Sequence, residues 1–384
     1  MLKQYLTEKL ENYWYNSGSC TLLCRLLCFG LLWPLAQGYK LIIYVRRWLF
    51  KLRLLTVRSF KVPIIIVGNI SVGGTGKTPV VIYLVELLRR HGLQPGVVSS
   101  GYKRLSPKSE ILGRGCSVAV TAASNPAVVG DEPVLIAART GCPVVVDRQR
   151  VRAVEFLLSH NPAVNIVICD DGLQHYALER DIEIAVVDGA RKFGNGYCLP
   201  AGPLREDSRR LEEVNFILIN CQKSYEQSAA QQEKHSSVQG SGNIAVHGVT
   251  QITSEARGAT FFMRFKPGRL YNLNSETQTC ALTDFVGKTV YAVAGIGNPD
   301  KFFTGLTNAG LQVISHAFPD HHNFVAQDLV GMDNYPVIMT EKDAVKCRQF
   351  MRGSNCWVLP VTAEIAGEFE SDLLAAMRYK KLGG

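Results

Sequence analysis

The stretch Gly68-Asn69-Ile70-Ser71-Val72-Gly73-Gly74-Thr75-Gly76-Lys77-Thr78 holds the residue types that a phosphate-binding loop needs. Its glycines free the backbone to turn successive N–H groups toward phosphate oxygens, and a following helix would add a favourable dipole. Lys77 would reach the β- and γ-phosphates of a nucleotide, and the Thr78 hydroxyl would hold Mg²⁺. The strict spacing G-x-x-x-x-G-K-[ST] asks for glycine at position 71, where this chain has Ser71. Gly73 and Gly74 fall inside the gap and keep the loop's freedom. The expected ATP contacts are therefore Ser71, Val72, Gly73, Gly74, Thr75, Gly76, Lys77 and Thr78.

Carboxylates come next. Asp170-Asp171-Gly172 closes the apolar run Val164–Cys169, and an Asp at the carboxyl end of a strand downstream of such a loop is the Walker B arrangement. Mg²⁺ prefers carboxylate oxygen. Side chains alternate along a strand, so Asp170 and Asp171 cannot both face one ion there. Gly130-Asp131-Glu132-Pro133 is a second acidic pair, opening an apparent helix. Transfer of a phosphoryl group to an alcohol needs a base, and Asp131 and Glu132 are candidates beside their alternative role as an acidic first turn. His321, in Phe318-Pro319-Asp320-His321-His322-Asn323-Phe324, could orient such a base. Asp147-Arg148-Gln149-Arg150 and Pro203-Leu204-Arg205-Glu206 place arginines where they could clamp a phosphate or make surface ion pairs.

These groups need elements to carry them. Val62–Val67 is a β-branched run of the kind found in buried parallel strands, and Pro79–Arg90 reads as the helix after the loop, ended by His91-Gly92. Residues 61–221 alternate strand and helix patterns, which predicts a P-loop NTPase-like domain with a parallel sheet. Residues 222–258 are rich in Gln, Ser and Gly and predict a flexible linker. Strand-like runs at 259–265, 289–294, 311–315, 335–339 and 356–361 predict a second, smaller α/β domain over 259–384. The fold class expected is α/β.

Composition narrows the setting. The chain has 384 residues and a formal charge of +9. Residues 1–60 alone hold nine Lys or Arg against two Glu, a balance of +7. A broad basic face for nucleic acid is thereby excluded. Eleven cysteines without a C-x-x-C pair fit a reducing compartment and no zinc site. Within 1–60, the uncharged part between Arg25 and Lys40 would span about 21 Å as a helix, short of a hydrocarbon core of about 30 Å, and it contains Pro34. Leu41–Arg53 mixes Leu, Trp and Phe with Arg and Lys, the composition of a helix lying in an anionic membrane interface. A buried helical hairpin and a cleaved signal peptide are the alternatives.

With these residues in hand, a resemblance emerges. The loop itself, S-S-G-Y-K-R at 99–104, V-G-D-E-P at 129–133, D-D-G-L-Q-H at 170–175, P-A-G-P-L-R-E at 200–206, G-I-G-N-P at 295–299, P-D-H at 319–321 and T-E-K-D at 340–343 together resemble the tetraacyldisaccharide 4'-kinase family of Gram-negative bacteria. Serine or threonine at the first loop glycine is itself a mark of that family. The resemblance implies ATP and Mg²⁺, an acylated glucosamine disaccharide 1-phosphate as substrate and lipid IVA as product. It further implies two α/β/α lobes with the nucleotide in their cleft, a monomer, and work at the cytoplasmic face of the inner membrane. It assigns a catalytic Asp131–His321 dyad and metal contacts at Thr78, Asp170, Asp171 and Glu132. It places Tyr102, Gln174, His175 and Arg205 at the substrate. Around Tyr102 the chain departs from the family's R-G-Y-G-R, with Ser100 and Lys103 in place of Arg and Gly. A nucleotide-driven switch ATPase and a kinase for a soluble metabolite would share the loop, and phosphoryl transfer to a glycolipid would separate them from the lipid kinase.

Overall fold

The computed structural model describes residues 10–15, 22–101, 116–221, 258–351 and 355–381. A helical stretch at 10–15 precedes the long helix α1 (Leu22–Lys51). Strand β1 (Ile64–Gly68) enters the phosphate loop and α2 (Lys77–Arg90) leaves it. Then follow β2 (Pro95–Ser99), β3 (Val118–Val120), α3 (Pro126–Val129), α4 (Asp131–Thr140) and β4 (Val144–Val146). Helix α5 (Arg150–His160), β5 (Ile166–Asp170), β6 (Ile182–Asp188), β7 (Phe216–Asn220) and β8 (Ala259–Pro267) come next. The remainder holds β9 (Leu270–Asn272), β10 (Ser275–Cys280), β11 (Thr289–Ala294), α6 (Pro299–Asn308) and β12 (Gln312–Ala317). It ends with β13 (Val337–Thr340), α7 (Glu341–Cys347), β14 (Cys356–Leu359), β15 (Val361–Ile365) and α8 (Phe369–Lys381).

By spatial contact the chain divides into two compact units, each assembled from separate stretches. The first comprises Met1–Lys77, Asp171–Arg264 and Ile365–Gly384; the second comprises Thr78–Asp170 and Phe265–Glu364. In the first, β1, β6, β7 and β8 pair in parallel, with Val67 opposite Ile184, Ile184 opposite Phe216 and Ile217 opposite Thr260. Strands β1, β6 and β7 are largely apolar runs because both faces are covered, as in other parallel sheets. Phe369 of α8 stands edge-on to Phe216 and Phe261, with ring centroids 5.5 and 5.4 Å away.

In the second unit β5, β2 and β4 are parallel, and β3 closes the edge antiparallel to β4. Gly96 sits mid-strand in β2 because a Cβ there would lie 2.8 Å from Leu157 Cδ2, so its absence lets α5 pack close. The same unit carries a six-stranded sheet in the order β10-β9-β14-β13-β11-β12, parallel from β14 to β12. The runs expected at 259–265, 289–294, 311–315 and 335–339 appear as β8, β11, β12 and β13. The run at 356–361 is two strands rather than one, broken at Pro360, which has no N–H to give a ladder. The linker expected at 222–258 lies outside the described residues except for Gly258, and Tyr102 lies outside them altogether.

Helix α1 runs unbroken through Pro34 for 30 residues, about 45 Å. Among the described residues no helix is long and apolar enough to cross a membrane. One face of α1 turns to its own unit: Ala36 is buried, the Tyr39 hydroxyl donates to the Arg205 carbonyl at 3.0 Å, and Lys40 and Arg47 pair with Asp207 and Glu213. The other face leaves Leu31, Leu35, Ile42, Tyr44 and Trp48 exposed, Ile42 by 65%.

Candidate active site

The phosphate loop begins where β1 ends. Gly68 is required there, since a Cβ would meet Leu173 Cγ at 2.7 Å. Ile70–Val72 runs beside Pro203–Arg205: Val72 N donates to the Pro203 carbonyl at 2.8 Å, and Arg205 N to the Ile70 carbonyl at 2.6 Å. Ser71 forms a bridge with Leu204 and is buried. Position 71 therefore sits in an isolated bridge and is not among the residues with positive φ, so it does not need glycine. The left-handed turns fall at Gly73, with φ of 102°, and at Gly76, with φ of 91°, and glycine occupies both.

Lys77 opens α2 and points its Nζ to Asn69 Oδ1 at 3.3 Å and to Asp171 Oδ1 at 3.3 Å. Asp171 sits just past β5 with φ of 49°, so the chain leaves the strand geometry there. Arg205 Nη1 lies 3.0 Å from each oxygen of the same carboxylate. Burial alone would push the Asp171 carboxyl up, but Lys77 and Arg205 outweigh it and hold the group well below the usual carboxylate range. Gln174 donates to the Asn69 carbonyl at 3.2 Å and to Glu206 Oε1 at 2.7 Å, which ties this turn to the 200–206 segment. His175 is half-buried, and its carbonyl accepts from Arg180 at 2.6 Å.

In the second unit, Asp170 is buried at the tip of β5 and accepts from Ser99 Oγ at 3.0 Å. Arg150 turns inward and donates to the carbonyls of Asp147 and Asp170 at 2.9 and 3.0 Å, so it braces the strand tip. Arg152 grips the Asp147 carboxylate, at 2.8 Å.

Asp131 and His321, 190 residues apart, meet here: His321 Nδ1 is 3.0 Å from both carboxylate oxygens. Asp131 is the first residue of α4, where the helix dipole favours a negative charge. The turn before it is tight: a Cβ on Gly101 would lie 2.8 Å from the Val129 carbonyl oxygen. His321 has a left-handed backbone, with φ of 59°, and its N–H donates to the Gly295 carbonyl at 3.1 Å. Gly295 N in turn donates to Asp343 Oδ2 at 2.9 Å, and Asp343 is anchored by the Thr340 hydroxyl at 2.7 Å. The G-I-G-N-P, P-D-H and T-E-K-D segments thus converge on one place. Helix α7 adds Lys346, 3.6 Å from Asp131 and 2.8 Å from Asp343. It also adds Lys342, whose Nζ is 3.1 Å from Glu132 Oε1 and 3.4 Å from Asp320 Oδ1. Burial raises the Asp131 carboxyl, but the His321 hydrogen bond and the two lysines outweigh it and hold it far below its ordinary value. Burial lowers Lys342, and Glu132, Asp131 and Asp320 more than reverse this.

Three residues of these clusters have no role in the sequence reading: Asn69 beside Lys77, and Lys342 and Lys346 beside the dyad. The T-E-K-D run is visible as a motif, but its register against Asp131 is set only by the packing of α7 on α4, through contacts such as Arg139 Nη1 to Glu341 Oε1 at 2.5 Å.

A strand, a glycine loop and a helix opened by lysine, with carboxylates after β5, define a P-loop nucleotide-binding protein of the α/β class. The family model for LpxK, tetraacyldisaccharide-1-P 4'-kinase, matches residues 29–378, and the chain belongs to that family. The tetraacyldisaccharide 4'-kinase of Methylobacillus flagellatus is 41% identical over 374 residues, 97% of each chain. That of Shewanella amazonensis is 43% identical over 352 residues, 90% of this chain and 91% of the other. A crystal structure of LpxK from Aquifex aeolicus in complex with ATP matches with a TM-score of 0.70 at 25% identity, covering 92% of this chain and 99% of that one.

Proposed function

We propose that the chain moves the γ-phosphoryl group of ATP to the 4'-hydroxyl of a tetraacyldisaccharide 1-phosphate, giving lipid IVA for lipid A biosynthesis. The observation that carries this reading is the Asp131–His321 pair at 3.0 Å in a protein that also has the phosphate loop. A proton acceptor buttressed by an imidazole is what attack by an alcohol requires. The family and its curated relatives supply the identity of the alcohol.

In this reading the loop amides and Lys77 hold the β- and γ-phosphates and stabilise charge on the moving group. Asp131 accepts the hydroxyl proton as the new O–P bond forms and the bond to the ADP oxygen breaks, while His321 orients the carboxylate. Glu132 and Asp171 each face a cation at rest, Lys342 and Lys77 respectively. Thr78 and Asp170 are therefore the residues that would hold Mg²⁺, and their hard oxygens suit it. Among the described residues no group of three His, Cys, Asp or Glu side chains could hold a metal alone. The ion would complete its shell with phosphate oxygens and waters, and it supplies charge neutralisation on the nucleotide. Arg205 and Gln174 serve the site by holding Asp171 and the loop, and His175 and Tyr102 are assigned to the sugar by family resemblance.

The exposed apolar face of α1, rimmed by Arg46 and Lys51, lies in the interface of the cytoplasmic leaflet, as a peripheral anchor for a monomer. The eight cysteines from Cys116 to Cys356 are free, as a reducing compartment would keep them. Labelled γ-phosphate should pass from ATP to tetraacyldisaccharide 1-phosphate in detergent and run as a bisphosphorylated lipid on thin-layer chromatography. Label released only as inorganic phosphate would overturn the kinase reading.

A further inference from the structure

Lys342 sits where it can act on the dyad through His321. Its Nζ is 3.3 Å from His321 Nε2, 3.1 Å from Glu132 Oε1 and 3.4 Å from Asp320 Oδ1. An ammonium has three protons and no lone pair, and here three acceptors surround it. An imidazole nitrogen that accepts from an ammonium must offer its lone pair, so the ring proton belongs on the other nitrogen. That nitrogen, Nδ1, is the one facing both Asp131 oxygens. We propose that Lys342 is a positioning residue that fixes His321 as the Nδ1–H tautomer, so that the ring donates to Asp131 and leaves that carboxylate as the acceptor of the substrate proton. The arrangement parallels metal sites, where the group bound to one ring nitrogen sets what the other can do.

The proposal rests on the dyad reading above, so its test separates the two. In the folded wild-type protein, nitrogen NMR of the His321 ring should show a protonated Nδ1 and an unprotonated Nε2. A ring protonated at Nε2 alone would overturn the assignment whatever the variants do. Lys342→Met should lower kcat roughly 10- to 100-fold, the usual scale for loss of an orienting partner, with KM for ATP changed less than about threefold. Lys342→Arg, which keeps a donor and the charge, should recover most of that loss. Introduced into His321→Ala, Lys342→Met should cost almost nothing more, because residues acting as a unit are not additive. A full further loss in that background would show that Lys342 does not act through His321. If Asp131→Ala and His321→Ala retained turnover, the dyad reading itself would fall. If they lost it while Lys342→Met did not, only the role of Lys342 would.

Discussion

Lys77 is presented by a loop of contiguous residues, although its partner Asp171 comes from a distant stretch of chain, whereas both members of the Asp131–His321 pair are placed by packing across 190 residues. The phosphate loop is shaped by local backbone geometry, two left-handed glycines and a helix that starts on the lysine itself, and one long-range bridge ties it to Pro203–Arg205. The dyad is held by tertiary packing: α7 against α4, Gly295 between His321 and Asp343, and two lysines around one buried carboxylate. Truncating the lysine that the loop presents should therefore damage chemistry and spare the fold, while truncating the dyad should touch both.

The largest effect is expected at the loop. Lys77→Ala should lower turnover by roughly 10³-fold or more, since the lost ammonium serves charge on the moving phosphoryl group. The melting temperature should barely move, because Asp171 keeps Arg205 at 3.0 Å. Near-normal turnover in a folded Lys77→Ala protein would break the comparison at its strongest point.

At the dyad, Asp131→Ala and His321→Ala should each lower kcat by roughly 10²- to 10⁴-fold, and the double variant should cost little more than the worse single one. Asp131→Ala should also lower the melting temperature, because it leaves Lys342 and Lys346 short of a buried partner. The sign of the acid response follows. A carboxyl held below its ordinary value stabilises the fold fully above about pH 4, and that contribution is lost as pH falls through the lowered native value. Asp131→Asn should flatten this acid limb of a melting-temperature profile. An unchanged limb would mean that the ion cluster does not report on folding.

These same regions explain what was legible in the amino-acid sequence. A loop whose function depends on neighbours in sequence is written as a motif, and strand β1, the glycines and Lys77 could be read from it. Asp170 and Asp171 could be found but not told apart, because the alternation rule stops at the strand end. Asp171 leaves the strand with φ of 49°, and only its partners Lys77 and Arg205 reveal its task. His321 could be named from its own segment as a group able to orient a base, but its pairing with Asp131 came only with the family resemblance. Lys342 showed only as a letter of the T-E-K-D motif and Lys346 not at all, because helix packing and not spacing brings them to Asp131.

A third region sharpens the contrast from outside the chemistry. Replacing Leu31, Leu35 and Ile42 of α1 by Gln removes apolar surface worth about 1.5–3 kcal/mol per fully buried side chain. Flotation with anionic vesicles should fall by at least tenfold, while ATP binding at the loop stays unchanged. High salt should release the wild-type chain only in part, since apolar burial survives charge screening. Complete release by salt would leave a purely electrostatic attachment in place of the interfacial helix.

The smallest effect is expected where the loop departs from the strict P-loop spacing. Ser71 occupies the position of the first glycine, yet its backbone has no positive φ and is bridged to Leu204, with Val72 and Arg205 hydrogen-bonded on either side. A glycine there would gain nothing in the folded state and would enlarge the freedom of the unfolded chain. Ser71→Gly should therefore destabilise by about 0.5–1 kcal/mol and leave kcat within about twofold. Gly76→Ala is the counterpart: its φ of 91° lies where a side chain is strained, at a cost of about 1–3 kcal/mol, and the loop amides should lose their aim at phosphate. Paired melting curves and single-turnover rates separate the two variants. A Ser71→Gly protein with turnover well above wild type would mean that residue 71 needs the freedom of glycine after all, and that the bridge to Leu204 opens when nucleotide binds.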